Sequence, residues 1–135
     1  MRKEKSTFKQ AFTHLYFLML SADKIADLKE LKLGNKIIKL ENLDKAEVMK
    51  DIDDLSALPR DNVYEQGLSL LKSLSNEDQV KILAYVKMIA KVDGSYDEKE
   101  SSLLNEISLN ELRISLQEVF DAEQILSENI SKLNQ

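Results

Sequence analysis

A single proline, Pro59, and only three glycines punctuate the 135 residues of this chain, and that scarcity constrains its fold more than any motif does. Proline removes a backbone donor and stops a helix, and glycine weakens one, so a chain this short of both favours helices joined by tight turns. The apolar spacing agrees. Phe8, Phe12, Leu15, Tyr16 and Met19 recur at three and four residues, the period that lines one face of an α-helix. Hydrophobic residues at 43% supply a core and charged residues at 32% supply a solvated surface. The expected fold class is all-α, in one domain over residues 1–135, a length that suits a single core.

The same periodicity predicts a first helix over residues 7–23 and a second over residues 27–34, with Gly34 as its terminator. The segment NKIIKLEN then leads into a third helix at residues 43–58, which sets Ala46, Met49, Ile52 and Leu55 on one face and stops before Pro59. The stretch 59–61 is therefore the clearest internal boundary. A fourth helix follows Asp61 and carries Val63, Leu68, Leu71 and Leu74. A fifth follows Ser75, whose hydroxyl can cap it with Asp78 three residues on, and carries Ile82, Val86 and Ile89. After the turn DGSYD, a sixth carries Leu103, Leu104 and Ile107, and a last helix occupies much of residues 116–133.

Several function classes are disfavoured by what the chain lacks. Without cysteine it has no disulfide or thiolate metal site, and with His14 as its one imidazole it has no zinc cluster or Cys–His pair. Any metal would be held by oxygen. No nucleophile with an adjacent base and no phosphate-cradling glycine loop is present, so neither an enzyme nor an organic cofactor is expected. His14, Tyr16, Tyr85 and Met88 read as packing or half-buried positions. The longest apolar run, LYFLML, is far shorter than the ~20 residues of a membrane span, and the residues before it lack a cleavable signal's layout, so a cytoplasmic protein is expected.

The net charge of −5 is unevenly spread: residues 1–39 hold nine Lys/Arg against four Asp/Glu, and residues 40–135 hold ten against twenty. An acidic chain without a basic, aromatic-rich surface is a poor nucleic-acid binder. The basic opening MRKEK with Lys9 reads first as a solvated helix face, with a membrane or an acidic partner as the alternative.

A pattern in the acids stands out against this background. Asp23, Asp27 and Glu30 recur 70 residues later as Asp93, Asp97 and Glu100, so D-x3-D-x2-E occurs twice. Apolar positions align on both sides: Phe12 with Ile82, Leu18 with Met88, Met19 with Ile89, Leu33 with Leu103, Ile37 with Ile107. Two related helical units, at residues 8–40 and 78–110, are the natural reading. In each, the first Asp falls at a helix C-terminus, where exposed carbonyls disfavour a carboxylate, and the second Asp and the Glu share one face at the next helix's positive end. Units packed about a pseudo-twofold axis would gather six carboxylates, a cluster that asks for a cation, shared protons or a basic partner. Helix capping by Asp27 or Asp97, closed by Glu30 or Glu100, is the simpler alternative for either unit taken alone. An isolated EF-hand does not fit. With Gly94 at its sixth position, the essential first and third positions become Ile89 and Lys91, and the first unit has Lys24 where glycine is required.

The segments FLMLSADKIADLKELKLG and YVKMIAKVDGSYDEKESSLL, within a similarity running from Phe8 to Ile125, resemble the TerB-like family of tellurite-resistance and related stress systems. The resemblance implies a compact bundle of about seven helices with two pseudo-symmetric hairpins and an acidic cluster between them. It also implies metal binding or membrane-associated, metal-sensing complexes, with no established enzymatic activity, and TerB-like modules also occur in membrane-tethered co-chaperones. Lys24, in place of a glycine, departs from the pattern. Two functional expectations follow. One is a divalent-cation-responsive module with Asp23, Asp27, Glu30, Asp93, Asp97 and Glu100 as oxygen donors to calcium, magnesium or manganese. The other is an adaptor in which the same acids dock a protein partner or cap helices. Burial separates them, because carboxylates facing inward toward each other favour a cation and outward-facing ones favour a partner or nothing.

Overall fold

The structure is a computed structural model that describes residues 2–22, 28–92 and 98–133, and within them the side chains of all but residues 2–6, 20–22, 28 and 100. Seven α-helices and one π-helical turn account for most of the described residues, and no strand occurs among them. The helices are α1 (Arg2–Ala22), α2 (Leu28–Leu40), α3 (Lys45–Ser56), α4 (Arg60–Lys72), α5 (Asn76–Lys91), α6 (Glu98–Asn105) and α7 (Leu116–Lys132), with the π-turn Glu106–Glu111 between the last two.

Two helices form the centre. On α5 the residues Ile82, Leu83, Ala84, Tyr85 and Val86 are buried in succession, as happens when a helix is covered on all sides rather than along one stripe. Helix α1 buries Phe8, Phe12, Leu15, Tyr16 and Met19, the predicted stripe, and adds Ala11 and Leu18. It packs against α3, α4 and α5, while α7 and α2 cover α5. Phe12 ties the two together, stacked on Tyr16 with ring centroids 5.5 Å apart and edge-on to Tyr85 at 6.3 Å.

Helix starts follow local chemistry. Ser75 accepts from the Asp78 amide as predicted, and Asp44 and Ser115 do the same for the amides of Glu47 and Glu118. Pro59 closes the gap after α3, its carbonyl accepting from the amides of Asn62 and Val63 as α4 begins.

Three features differ from the sequence reading. Helix α2 does not stop at Gly34 but runs through it to Leu40, absorbing much of NKIIKLEN. A Cβ at Gly34 would lie 2.2 Å from the Tyr16 hydroxyl oxygen, so the glycine serves close approach of α2 to α1. On α3 the buried residues are Val48 and Leu55, with Met49 and Ile52 half-buried and Ala46 exposed, which turns the packed face away from the predicted one. The sixth helix widens after Asn105 into the π-turn, in which the Leu112 amide reaches back to the Ile107 carbonyl at 2.9 Å. The turn buries Ile107 and Ser108 side by side, and Ser108 is held through its hydroxyl donating to the Ile114 carbonyl at 2.7 Å.

Candidate functional site

Of the six repeated acids, Asp23, Asp27, Asp93 and Asp97 lie outside the described residues. Glu100 belongs to α6, with its side chain also outside the description. Glu30 is fully described. It stands in the first turn of α2, where the helix's positive end favours a carboxylate, and it is only 1% exposed. Among the described residues no group of three or more histidines or carboxylates is placed to hold a metal ion.

The neighbourhood of Glu30 follows from the register of α2. Glu30, Gly34, Ile37 and Ile38 share one face at helical spacing, and all four are buried. Against this face α1 presents Tyr16, whose hydroxyl donates to the Glu30 carbonyl at 3.4 Å and whose ring tip fills the space that a side chain at position 34 would take. Burial, reinforced by the negative charge of Glu30, pushes the Tyr16 phenol up to about 12. A neutral phenol is thereby kept beside the acid.

In one of the apolar pairs aligned 70 residues apart, Leu18 is buried while Met88 is only half-buried, and other positions at this interval agree. Phe12 and Ile82, Leu15 and Tyr85, Tyr16 and Val86, Met19 and Ile89, Gly34 and Leu104, and Ile37 and Ile107 are buried in both copies, and Leu33 and Leu103 are half-buried in both. In addition α1 packs on α5, α2 touches α5 and α1 touches α6, so the first helix of each unit meets both helices of the other. The rejected EF-hand positions also have structural roles: Ile89 is fully buried in the core, and Lys91 pairs with Glu123.

Two polar constellations were not anticipated from the sequence. Glu123 is 5% exposed on α7, with Oε1 3.3 Å from Lys91 Nζ and Oε2 3.9 Å from Lys87 Nζ. A signal for it exists. Val119, Glu123, Leu126 and Ile130 follow the apolar period of α7, and the two lysines stand four apart on α5, so an acid in a core stripe faces a matched basic pair. In the second, the buried Tyr85 hydroxyl donates to Glu41, which also accepts from Lys81 at 2.9 Å. Burial, with the hydrogen bond and charge of Glu41 adding to it, raises the Tyr85 phenol well above its ordinary value.

The other singled-out residues fall into place. His14 is half-buried, its Nδ1 donating to the Gln10 carbonyl at 2.7 Å, and Met88 packs at the edge of the core. Part of the basic opening is neutralised internally, since Lys9 pairs with Glu47 at 2.9 Å and Asp51 at 3.7 Å on α3. Among the described residues no helix is long and apolar enough to cross a membrane. No family model, no curated protein and no solved structure matches the chain.

Proposed function

We propose that the chain is a non-enzymatic, divalent-cation-responsive helical module of the tellurite-resistance and stress-response type that its two motifs resemble. The burial of Glu30 supports this reading. An acid of the repeated pattern turned inward requires positive charge or donors around it, whereas an acid that docks a partner would face solvent. Asp23, Asp27, Asp93, Asp97 and Glu100 would join Glu30 as oxygen donors, a hard set that suits calcium, magnesium or manganese. Binding would tie the two helical units together, and the module would report the ion through its stability and its contacts. The test is calorimetric titration of chelator-treated protein with each of the three ions, repeated for Glu30→Gln. Saturable heat that the variant loses is the expected result; no heat at millimolar ion contradicts the reading.

A second reading, a protein-interaction adaptor that works in a membrane-associated complex or with a chaperone, is favoured by a different observation. Leu109, Leu116, Phe120 and Ile125 are large apolar side chains left 40% to 63% exposed, surface a partner could cover. Here the repeated acids would dock a basic partner. Recovery of a partner by the wild type, with loss in an Asp97→Ala/Glu100→Ala variant, supports the adaptor; equal recovery counts against these acids as the contact.

A further inference from the structure

A cleft of about 330 Å³ opens between α2, α5 and α7, at the small end of the size range of ligand sites. Leu33, Met88, Val92 and Ile130 give it apolar walls, and Lys91, Glu123 and Ser127 give it polar groups. Its buried charge is incompletely matched. Lys91 reaches Glu123 Oε1 at 3.3 Å, but Lys87 stands 3.9 Å from Oε2, too far for a hydrogen bond, and no donor among the described residues reaches that oxygen.

The charges restrict what such a cleft accepts. The cleft's one ammonium group repels a simple cation and its one carboxylate repels a simple anion, and a wholly apolar molecule leaves both as they are. A molecule with both signs on neighbouring atoms offers an opposite charge to each of these two groups. In an α-amino acid the ammonium nitrogen and a carboxylate oxygen lie roughly 3 Å apart, by ordinary bond lengths. That matches the 3.3 Å between Lys91 Nζ and Glu123 Oε1. Lys91 has the freedom to turn to a ligand, its side chain being 40% exposed.

We infer that this cleft binds a free apolar α-amino acid, its ammonium on Glu123, its carboxylate on Lys91, and its side chain against Leu33, Met88, Val92 and Ile130. The inference stands apart from the cation reading, because none of these residues belongs to the repeated acids. Titration by calorimetry in the absence of divalent ions tests it, with leucine, methionine, glycine and N-acetylleucine as probes against the wild type, Glu123→Gln and Ser127→Phe. Leucine or methionine should bind, while glycine, lacking the apolar body, and N-acetylleucine, lacking the ammonium, should bind about tenfold more weakly or worse. Glu123→Gln should weaken leucine binding by a similar factor. Ser127 is exposed at the rim, so Ser127→Phe can fill the cleft without disturbing the core, and it should abolish binding while helicity is kept. Absence of binding by both leucine and methionine overturns the inference, as does equal leucine binding by the wild type and both variants.

Discussion

Gly34 and Tyr16 show how one contact sets the path of a helix. In isolation a glycine inside a helix costs about 1 kcal/mol relative to alanine, so Gly34→Ala should stabilise α2 on propensity alone. The structure predicts the opposite, because the new Cβ would meet the buried Tyr16 ring at 2.2 Å from its oxygen and 2.5 Å from Cζ. Overpacking of this kind costs ~1–3 kcal/mol, and the ring is enclosed and has no open space to retreat into. Denaturant unfolding of Gly34→Ala should therefore show a net loss of stability, and a gain would contradict the close approach. Tyr16 also makes a pH prediction. Its phenol is raised from 10 to about 12 in the fold, so above pH 10 the unfolded chain loses a proton that the folded chain keeps. The contribution is intact below the ordinary value and is lost as pH rises towards the folded one, at up to ~1.4 kcal/mol per pH unit. Tyr85, raised in the same direction, adds to the slope. Urea unfolding between about pH 9 and about pH 11 should show steep alkaline destabilisation that Tyr16→Phe makes shallower; an unchanged slope in the variant would assign the effect elsewhere.

At the scale of elements, legibility in the sequence depended on whether the deciding interaction was local. The start of α5 was readable because Ser75 caps through its own side chain, and the break at Pro59 because a missing amide requires no partner. Helix α7 was readable because its apolar period is unbroken except at Glu123. The passage of α2 through Gly34 was hidden, since only the ring of Tyr16, from another helix, explains the glycine. The π-turn was hidden too. It depends on Ser108 and Ile114 bonding each other across the turn, and on Arg113 adopting a φ of 56°, conditions that a 3.6-residue period does not express. Of the candidate site, the motif singled out Glu30 but left its burial open, and Glu123 was not legible because its meaning comes from the lysines of α5. Cap energetics belong to this scale. Ser115→Ala removes the acceptor that holds the Glu118 amide at 3.1 Å and should lower stability by ~1 kcal/mol in thermal or chemical unfolding. A neutral result would mean that α7 is held on α5 by packing alone.

At the scale of the whole molecule, the helices that flank the repeated acids in sequence pack on one another. Several apolar positions 70 residues apart share their burial, and α1 packs on α5 and touches α6 while α2 touches α5. The uneven charge is partly balanced within the fold, as Lys9 of the basic first segment meets Glu47 and Asp51 of the acidic remainder. Neutralising the acids with an ion should then stabilise the folded chain as a unit, by an amount set by ion concentration over dissociation constant. The direct measurement is the thermal melt of chelator-treated protein with and without millimolar calcium, magnesium or manganese, made on the wild type and on Asp93→Asn. The account predicts a melting temperature that rises with at least one ion and rises much less in the variant. An unchanged melting temperature with every ion, or stabilisation by Asp93→Asn in the absence of ions, would contradict it.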